Sequence, residues 1–176
     1  MDYEEQLILE EKESPVRKII IFILSILLIL MFLSYIVISF GVGDIIGGWA
    51  ESSLIEGNSV EFNNGLIVFS DLVLEGLNEI YSNNKNYEFK VCLGGSLVDN
   101  VYSIDEIVYP RMYSQKYNLV VAEPCPLESL IDLHSHPLDR CIASQTDMEN
   151  FSVLKLKNPD ALMVIMCQEN RINVYS

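Results

Sequence analysis

Residues 133–147 read LHSHPLDRCIASQTD and contain both histidines of the chain, His134 and His136. Side chains alternate between the two faces of a β-strand, so a strand here places both imidazoles on one face and Ser135 on the other. Pro137 is expected to end this strand because it has no N–H group for the sheet ladder. Two imidazoles at this spacing can bind one metal ion.

The segment that follows supplies a carboxylate that can join the two histidines. We expect a loop over residues 138–143 and then a helix whose start at Thr146 forms a capping box with Glu149. Asp147 then lies in the first helical turn and can return to the metal as a third ligand. Three protein ligands and a fourth position for water are typical of catalytic zinc sites, whereas structural zinc usually has four protein ligands. The sequence therefore predicts one zinc ion bound by the two histidines and Asp147.

Two further residues are candidates for the chemistry at such a metal. Zinc lowers the pKa of a bound water from about 15.7 to about 7, so a nearby group must accept the proton. Glu88 opens an apolar strand over residues 88–93, where partial desolvation raises a carboxyl pKa. Composition alone favours a solvent-facing glutamate there instead. Ser144 can donate a hydrogen bond to the oxyanion that develops during amide hydrolysis.

The N-terminal third of the chain has a different character. Residues 1–18 are polar and acidic, and residues 19–40 carry no charge. At about 1.5 Å per residue, a helix over 19–40 crosses about 30 Å of hydrocarbon, so we expect an uncleaved transmembrane helix in a lipid membrane. The glycine-rich residues 41–60 are interpreted as a juxtamembrane linker. Lys12, Arg17 and Lys18 precede the span and no cation lies in 41–60, so the N-terminus is expected to be cytoplasmic and the C-terminal domain extracytoplasmic.

Residues 61–176 are expected to form an α+β domain, a mixed sheet flanked by two helices in an α/β/α-like arrangement. Ser70 can cap a helix that runs to Tyr81, and the second helix is expected to end at residues 158–160. Strand patterns cover residues 66–69, 88–93, 101–109, 119–122, 129–136, 162–167 and 172–175, the last two as a hairpin.

The site residues resemble the pattern of the JAMM family, also called MPN+ or JAB domains, which are zinc metallopeptidases. The family pattern is an upstream glutamate, then H-x-H-P, a short gap and S-x-x-D. The chain has HSHP at 134–137, a six-residue gap, and SQTD at 144–147. Glu88 lies on a strand that we expect to end at Gly94–Gly95, and it resembles the family glutamate. Glu79, on a predicted helix, is the fallback.

The resemblance covers residues 65–176 and implies a role for each site residue. Glu88 would take a proton from water and pass it to the leaving amine, Ser144 would stabilise the tetrahedral intermediate, and the other three would hold zinc. Relatives cleave isopeptide bonds to ubiquitin or ubiquitin-like proteins, and some prokaryotic members cut other small amides. Because segments 109–119 and 138–143 are short, we expect a compact prokaryotic-type enzyme that acts on a peptide or a ubiquitin-like conjugate. The alternative is a non-catalytic MPN-type module that binds a partner at the membrane.

Charge and cysteine content narrow the choice of partner and compartment. The formal net charge of −14 argues against nucleic acid as a partner, because phosphate backbones are bound by clustered Lys and Arg. Cys125 and Cys141 can pair if the domain faces an oxidising space, or they can be buried small apolar residues. Cys92 and Cys167 lie in apolar strands and are expected in the core.

Overall fold

The computed structural model describes residues 14–39, 42–117, 119–137 and 139–176. The chain divides into two compact units, Met1–Val42 and Gly43–Ser176. The helices are α1 (Pro15–Ser39), α2 (Val42–Glu51), α3 (Asp71–Asn83) and α4 (Gln145–Lys157). The strands are β1 (Ser53–Leu54), β2 (Ser59–Phe62), β3 (Gly65–Phe69), β4 (Lys90–Val98), β5 (Val101–Val108), β6 (Met112–Lys116), β7 (Leu119–Ala122), β8 (Ile131–Ser135), β9 (Leu162–Gln168) and β10 (Arg171–Tyr175).

Helix α1 is the apolar segment of the first unit. It begins at Pro15, which suits the first helical position because its missing N–H would have no partner in the helix, and this start is earlier than the expected residue 19. Its most apolar window has a mean hydropathy of 3.1 and is 0% buried, so the helix is long and apolar enough to span a bilayer once. Residues 1–13 of the predicted polar segment, together with Phe40 and Gly41, lie outside the described residues.

The second unit is built on one eight-stranded mixed sheet with the order β1-β10-β9-β8-β4-β5-β3-β2. The pairs β3–β5 and β8–β9 are parallel, and the other neighbours are antiparallel. The two edge strands, β1 and β2, are consecutive in the chain, and a bridge between Glu56 and Ser59 links the segment after β1 to the first residue of β2. The sheet is therefore barrel-like, which differs from the open middle layer of an α/β/α sandwich. The coarser prediction of a mixed α+β domain is confirmed.

The apolar core lies along β3, β4, β5, β8 and β9 and receives one face of α3. Ser70 caps α3, as predicted, by accepting a hydrogen bond from the Val73 N–H at 3.4 Å. Val73 and Leu77 are the buried residues of α3, and they join strand residues such as Phe69 and Leu93 in one cluster. The strand that carries the two histidines lies between β4 and β9, in the middle of this buried sheet.

Two expectations about elements were wrong, and one strand was not predicted. The segment read as a linker contains α2, β1 and β2, so regular structure of the sheet begins before residue 61. The strand expected over 88–93 starts at Lys90 and continues to Val98 through a bulge at Gly94–Gly95. Position 95 of this bulge requires glycine, because a side chain there would collide with the Ser103 carbonyl oxygen. A two-stranded hairpin of β6 and β7 was missed in part, since only β7 was predicted, at its observed bounds.

Candidate metal centre

Strand β8 fixes the two histidines in the core of the sheet. His134 is in register with Lys90 on β4 and with Ile165 on β9. His136 follows the last residue of β8, and its N–H donates to the Met166 carbonyl at 3.0 Å, which keeps the chain aligned with β9. The two residues are only 7% and 8% exposed, and their ring centroids are 5.0 Å apart. Both imidazoles therefore face the same small volume, as the alternation of a strand predicts.

The start of α4 positions Asp147. Ser144 is the N-cap: its hydroxyl oxygen accepts from the Asp147 N–H at 3.2 Å, and its own N–H donates to Oδ2 of Asp147 at 2.7 Å. This reciprocal capping box replaces the predicted box of Thr146 and Glu149, which is wrong. Glu149 instead accepts a hydrogen bond from the Gln145 side chain at 2.9 Å. The carboxylate of Asp147 is thus oriented by the cap of its own helix.

The three side chains meet at one point. Nε2 of His134 lies 3.4 Å from Oδ1 of Asp147, and Nε2 of His136 lies 3.4 Å from Oδ2. With bonds of about 2.0–2.1 Å, two ligand atoms of a tetrahedral zinc ion lie about 3.3–3.4 Å apart, so each imidazole–carboxylate separation, taken by itself, is compatible with a shared ion. One ligand atom from each residue lies within 4.8 Å of the other two.

A buried polar atom without a hydrogen bond supports the same interpretation. Nε2 of His134 is inaccessible to solvent and makes no hydrogen bond to any residue that the structure describes. An unsatisfied buried polar atom costs free energy, so it calls for an explanation. A metal bond to Nε2 is the explanation that the neighbouring donor set of two imidazoles and one carboxylate favours.

The electrostatics keep Asp147 ionised. Burial opposes ionisation of this carboxyl group, but the two imidazoles and the hydrogen bond from Ser144 outweigh burial and hold the pKa of Asp147 far below its usual value. A carboxylate that stays deprotonated at all physiological pH values is ready to bind a cation.

Cross-links hold the loop that connects β8 to α4. A disulfide joins Cys141 to Cys167 on β9. The Asn173 side chain donates to the Cys141 carbonyl at 2.8 Å, and the Ala143 N–H donates to the Tyr175 hydroxyl oxygen at 2.9 Å. The loop is therefore attached to β9 and β10 before it enters α4.

The second disulfide lies on the other side of β8. It joins Cys92 on β4 to Cys125, in the segment before β8, so the proposed pairing of Cys125 with Cys141 is wrong. Cys92 and Cys167 are fully buried, as expected, although both are also disulfide-bonded. Pairing depends on which strands become neighbours, which spacing along the chain does not determine.

Glu88 enters the site from the start of β4. It lies two residues before the strand, and its N–H donates to the Lys116 carbonyl on β6 at 3.0 Å. Burial raises the pKa of Glu88 from 4.5 to about 7; His136 and a backbone hydrogen bond from Val120 act against this rise, and Asp147 adds to it. Glu79, the fallback, is exposed on α3 and does not line the cavity described next.

A cavity of about 620 Å³ contains all five predicted site residues. Its charged side includes the three ligand candidates, Glu88, and an ion pair between Lys90 and Asp132 at 2.7 Å. An apolar side faces them, contributed by hairpin β6–β7, helix α4 and strand β9: Leu119, Val120, Val121, Phe151, Leu154 and Met163.

Strand β6 is the feature of the cavity that was missed from sequence: hairpin β6–β7 supplies a wall and the backbone partner of Glu88. Arg140 also lines the cavity, from the loop after β8. Residues 112–116 read MYSQK, which does not alternate between apolar and polar residues, and β6 is exposed apart from the half-buried Ser114, so no clear local signal for this strand was available. Ser144 is exposed at the cavity rim, and because its oxygen accepts from Asp147, its hydroxyl proton remains able to donate.

No protein-family model and no curated protein matches this chain. The resemblance to the JAMM family therefore stays a prediction that rests on the residues of the candidate metal centre.

Proposed function

We propose that this protein is a membrane-anchored zinc metallopeptidase of the JAMM (MPN+, JAB) type that hydrolyses a peptide or isopeptide bond. One observation carries the proposal. Two imidazoles and one carboxylate converge, with one ligand atom from each within 4.8 Å of the other two, in a cavity that a glutamate of raised pKa also lines. Three protein ligands leave one position open, which distinguishes a catalytic from a structural zinc site.

His134, His136 and Asp147 would hold the metal. When bound, zinc supplies a Lewis acid that lowers the pKa of a coordinated water to about 7 and polarises a carbonyl group. The sheet register holds the imidazoles and the capping box holds the carboxylate, so little reorganisation is needed on binding.

Glu88 would act as the proton carrier. A general base works best when its pKa lies near the working pH, and burial brings Glu88 to about 7. The hydrogen bond from its N–H to Lys116 fixes its backbone at the cavity, so the carboxylate can accept a proton from water and deliver it to the leaving amine. Ser144, at the rim, would donate its hydroxyl proton to the oxyanion.

The apolar wall supports an extended peptide as substrate, because it offers a surface for side chains next to the charged side of the cavity. A peptide or the peptide-like tail of a ubiquitin-like conjugate fits this description equally. Nucleic acid does not fit a chain with a net charge of −14.

We further propose that α1 anchors the protein in a lipid membrane with the N-terminus cytoplasmic and the catalytic domain outside. Arg17 and Lys18 lie in the first turn of α1, whereas residues 41–60 contain no cation. Both disulfides favour an oxidising compartment for the domain.

The test is amide cleavage by the full-length, zinc-loaded protein in detergent micelles against a fluorescence-quenched peptide library. We expect Glu88→Gln to lower kcat by about 100-fold or more while zinc stays bound. The matched control Glu79→Gln should retain full activity, because Glu79 is exposed on α3. Bound zinc without cleavage of any library member would favour the binding-module alternative, and full activity of Glu88→Gln would remove the proposed base.

A further inference from the structure

Arg140 is a cationic side chain at the metal centre that the proposed chemistry does not use. It lies in the loop between β8 and α4 and lines the same cavity as the ligand candidates and Glu88. Its Nε is buried and has no hydrogen-bond partner, and no salt bridge joins Arg140 to another residue in the described ranges. This is unexpected in a chain with 25 acidic and 11 basic residues, where carboxylates are plentiful.

Arg171 provides an internal comparison. Its Nε is also buried without a partner, but its guanidinium donates to the Ser52 hydroxyl at 2.9 Å and lies over the Trp49 ring at 5.1 Å. Those contacts account for Arg171 as a structural residue. Arg140 has no equivalent contacts within the described part of the chain, so its half-exposed guanidinium is available to a ligand in the cavity.

The chemistry of the guanidinium group indicates which class of ligand Arg140 can bind in the cavity. The other cation there, Lys90, is already paired with Asp132. A guanidinium has only donors, arranged as a planar fork that matches a carboxylate in bidentate geometry. Partial burial strengthens such a pair, because solvent competes less with it.

We propose that Arg140 binds a carboxylate of the substrate, so that the enzyme selects peptides with a carboxylate close to the scissile amide. The inference rests on the proposed function for the reaction, but the binding site itself does not require cleavage. The carboxylate can come from a peptide C-terminus or from an Asp or Glu side chain. Both present the same group to Arg140, and the experiment separates them.

The experiment measures peptide binding by titration calorimetry with the full-length protein in detergent micelles. The probes are acetyl-trialanine as free acid and as amide, and acetyl-Ala-Glu-Ala-amide with its Gln twin. Each is titrated into chelator-treated wild type and into zinc-loaded Glu88→Gln, in which turnover is suppressed. Arg140→Gln and Arg140→Lys are introduced into both backgrounds. Arg111→Gln, an exposed arginine outside the cavity, is the matched control.

A charged, bidentate pair should make at least one carboxylate probe bind about tenfold or more tightly than its neutral twin. Arg140→Gln should abolish this preference, Arg140→Lys should keep part of it, and Arg111→Gln should keep all of it. A preference for the C-terminal acid identifies that source, and a preference for Glu over Gln identifies a side chain. Equal binding of acid and neutral probes by wild-type Arg140 in both backgrounds overturns the inference.

A preference that persists in Arg140→Gln also overturns it, because another cation, the metal in the zinc-loaded arm or Lys90 in the chelated arm, would then be binding the carboxylate. The titrations into chelator-treated protein need neither bound zinc nor peptide cleavage, so they test carboxylate binding by Arg140 independently of the proposed function. A protein that binds no zinc, or cleaves no peptide, still gives a readable difference between acid and amide. The thermal unfolding midpoint of each variant, measured alongside, shows that the compared proteins are folded.

Discussion

The metal centre has two sides that are held in different ways. On the sheet side, His134 lies on β8 between two paired strands, His136 directly follows β8, and both are almost fully buried. On the helix side, residues 139–147 lead into α4, whose only buried residue in the described structure is Phe151. Two of the proposed ligands are thus positioned by strand register, and the third is positioned by a disulfide, a few hydrogen bonds and a helix cap.

This difference indicates where the geometry of the site can be changed without unfolding the protein. Strand register is shared with the core, so altering the sheet side alters the whole domain. The helix side contributes little to the core, so its cross-links can be removed one at a time. The expected effects below separate the two sides, from the largest to the smallest.

The largest effect is expected from removing a ligand on either side. His136→Ala and Asp147→Ala should each weaken zinc binding by more than about 100-fold, because loss of a supporting group alone costs up to about that much. Competition with a zinc chelator measures the change. Glu149→Ala, an exposed carboxylate of the same helix, is the control and should change zinc affinity less than about twofold. A small effect of Asp147→Ala would mean that the helix side supplies no ligand.

Removing each disulfide should give equal losses of stability but unequal losses of zinc affinity. The bridges close 26 and 33 residues, for which chain entropy predicts about 3.5 kcal/mol of stabilisation each. Replacing Cys141 and Cys167 with Ala frees the helix side and should lower zinc affinity as well as stability. The matched double variant of Cys92 and Cys125 should lower stability alone. Equal zinc affinities in the two double variants would show that the loop cross-link does not position Asp147.

A pair of glycines in α2 gives a smaller and more local effect. A Cβ at Gly48 would lie 2.8 Å from the Cys141 backbone nitrogen, whereas a Cβ at Gly43 would meet nothing within 4 Å. Gly48→Ala should cost about 1–3 kcal/mol and displace the loop. Gly43→Ala should be neutral or stabilise α2 by up to about 1 kcal/mol. Chemical unfolding measures both, and a neutral Gly48→Ala would contradict the observed contact.

The smallest effect is the pH dependence that Glu88 contributes in the metal-free protein. Its folded pKa of about 7 lies above its usual 4.5, so the unfolded chain releases this proton first as pH rises, and stability falls between those values. Glu88→Gln avoids the cost. It should be more stable than wild type at pH 8 by about 1 kcal/mol, allowing for solvent screening at this half-buried group, and equal at pH 4. An advantage that does not change with pH would argue against a raised pKa.

The parts of the fold that follow from local pattern could be predicted. The apolar helix, the capped α3, strand β7 and the β9–β10 hairpin each have their signal within a few neighbouring residues. The two histidines belong with them, because alternation along one strand is enough to place both on one face.

The features that depend on distant contacts could not be predicted. Ser144 with Asp147 and Thr146 with Glu149 both satisfy a capping pattern, and the choice between them follows from where the cross-linked loop ends. Helix α2 contains Gly47 and Gly48, which disfavour a helix locally but fit against the loop at 141–142. Four cysteines allow three pairings, and the pairing that forms depends on which strands become neighbours in the sheet.

X-ray absorption at the zinc edge of the purified full-length protein examines the metal centre itself. We expect one zinc per chain, with two imidazole nitrogens and a carboxylate oxygen at about 2.0–2.1 Å and one further light atom. Replacing His134 with Ala should remove one imidazole from this shell or abolish binding. A protein without zinc, or with a zinc shell that contains sulfur or is unchanged in His134→Ala, would contradict the proposed centre.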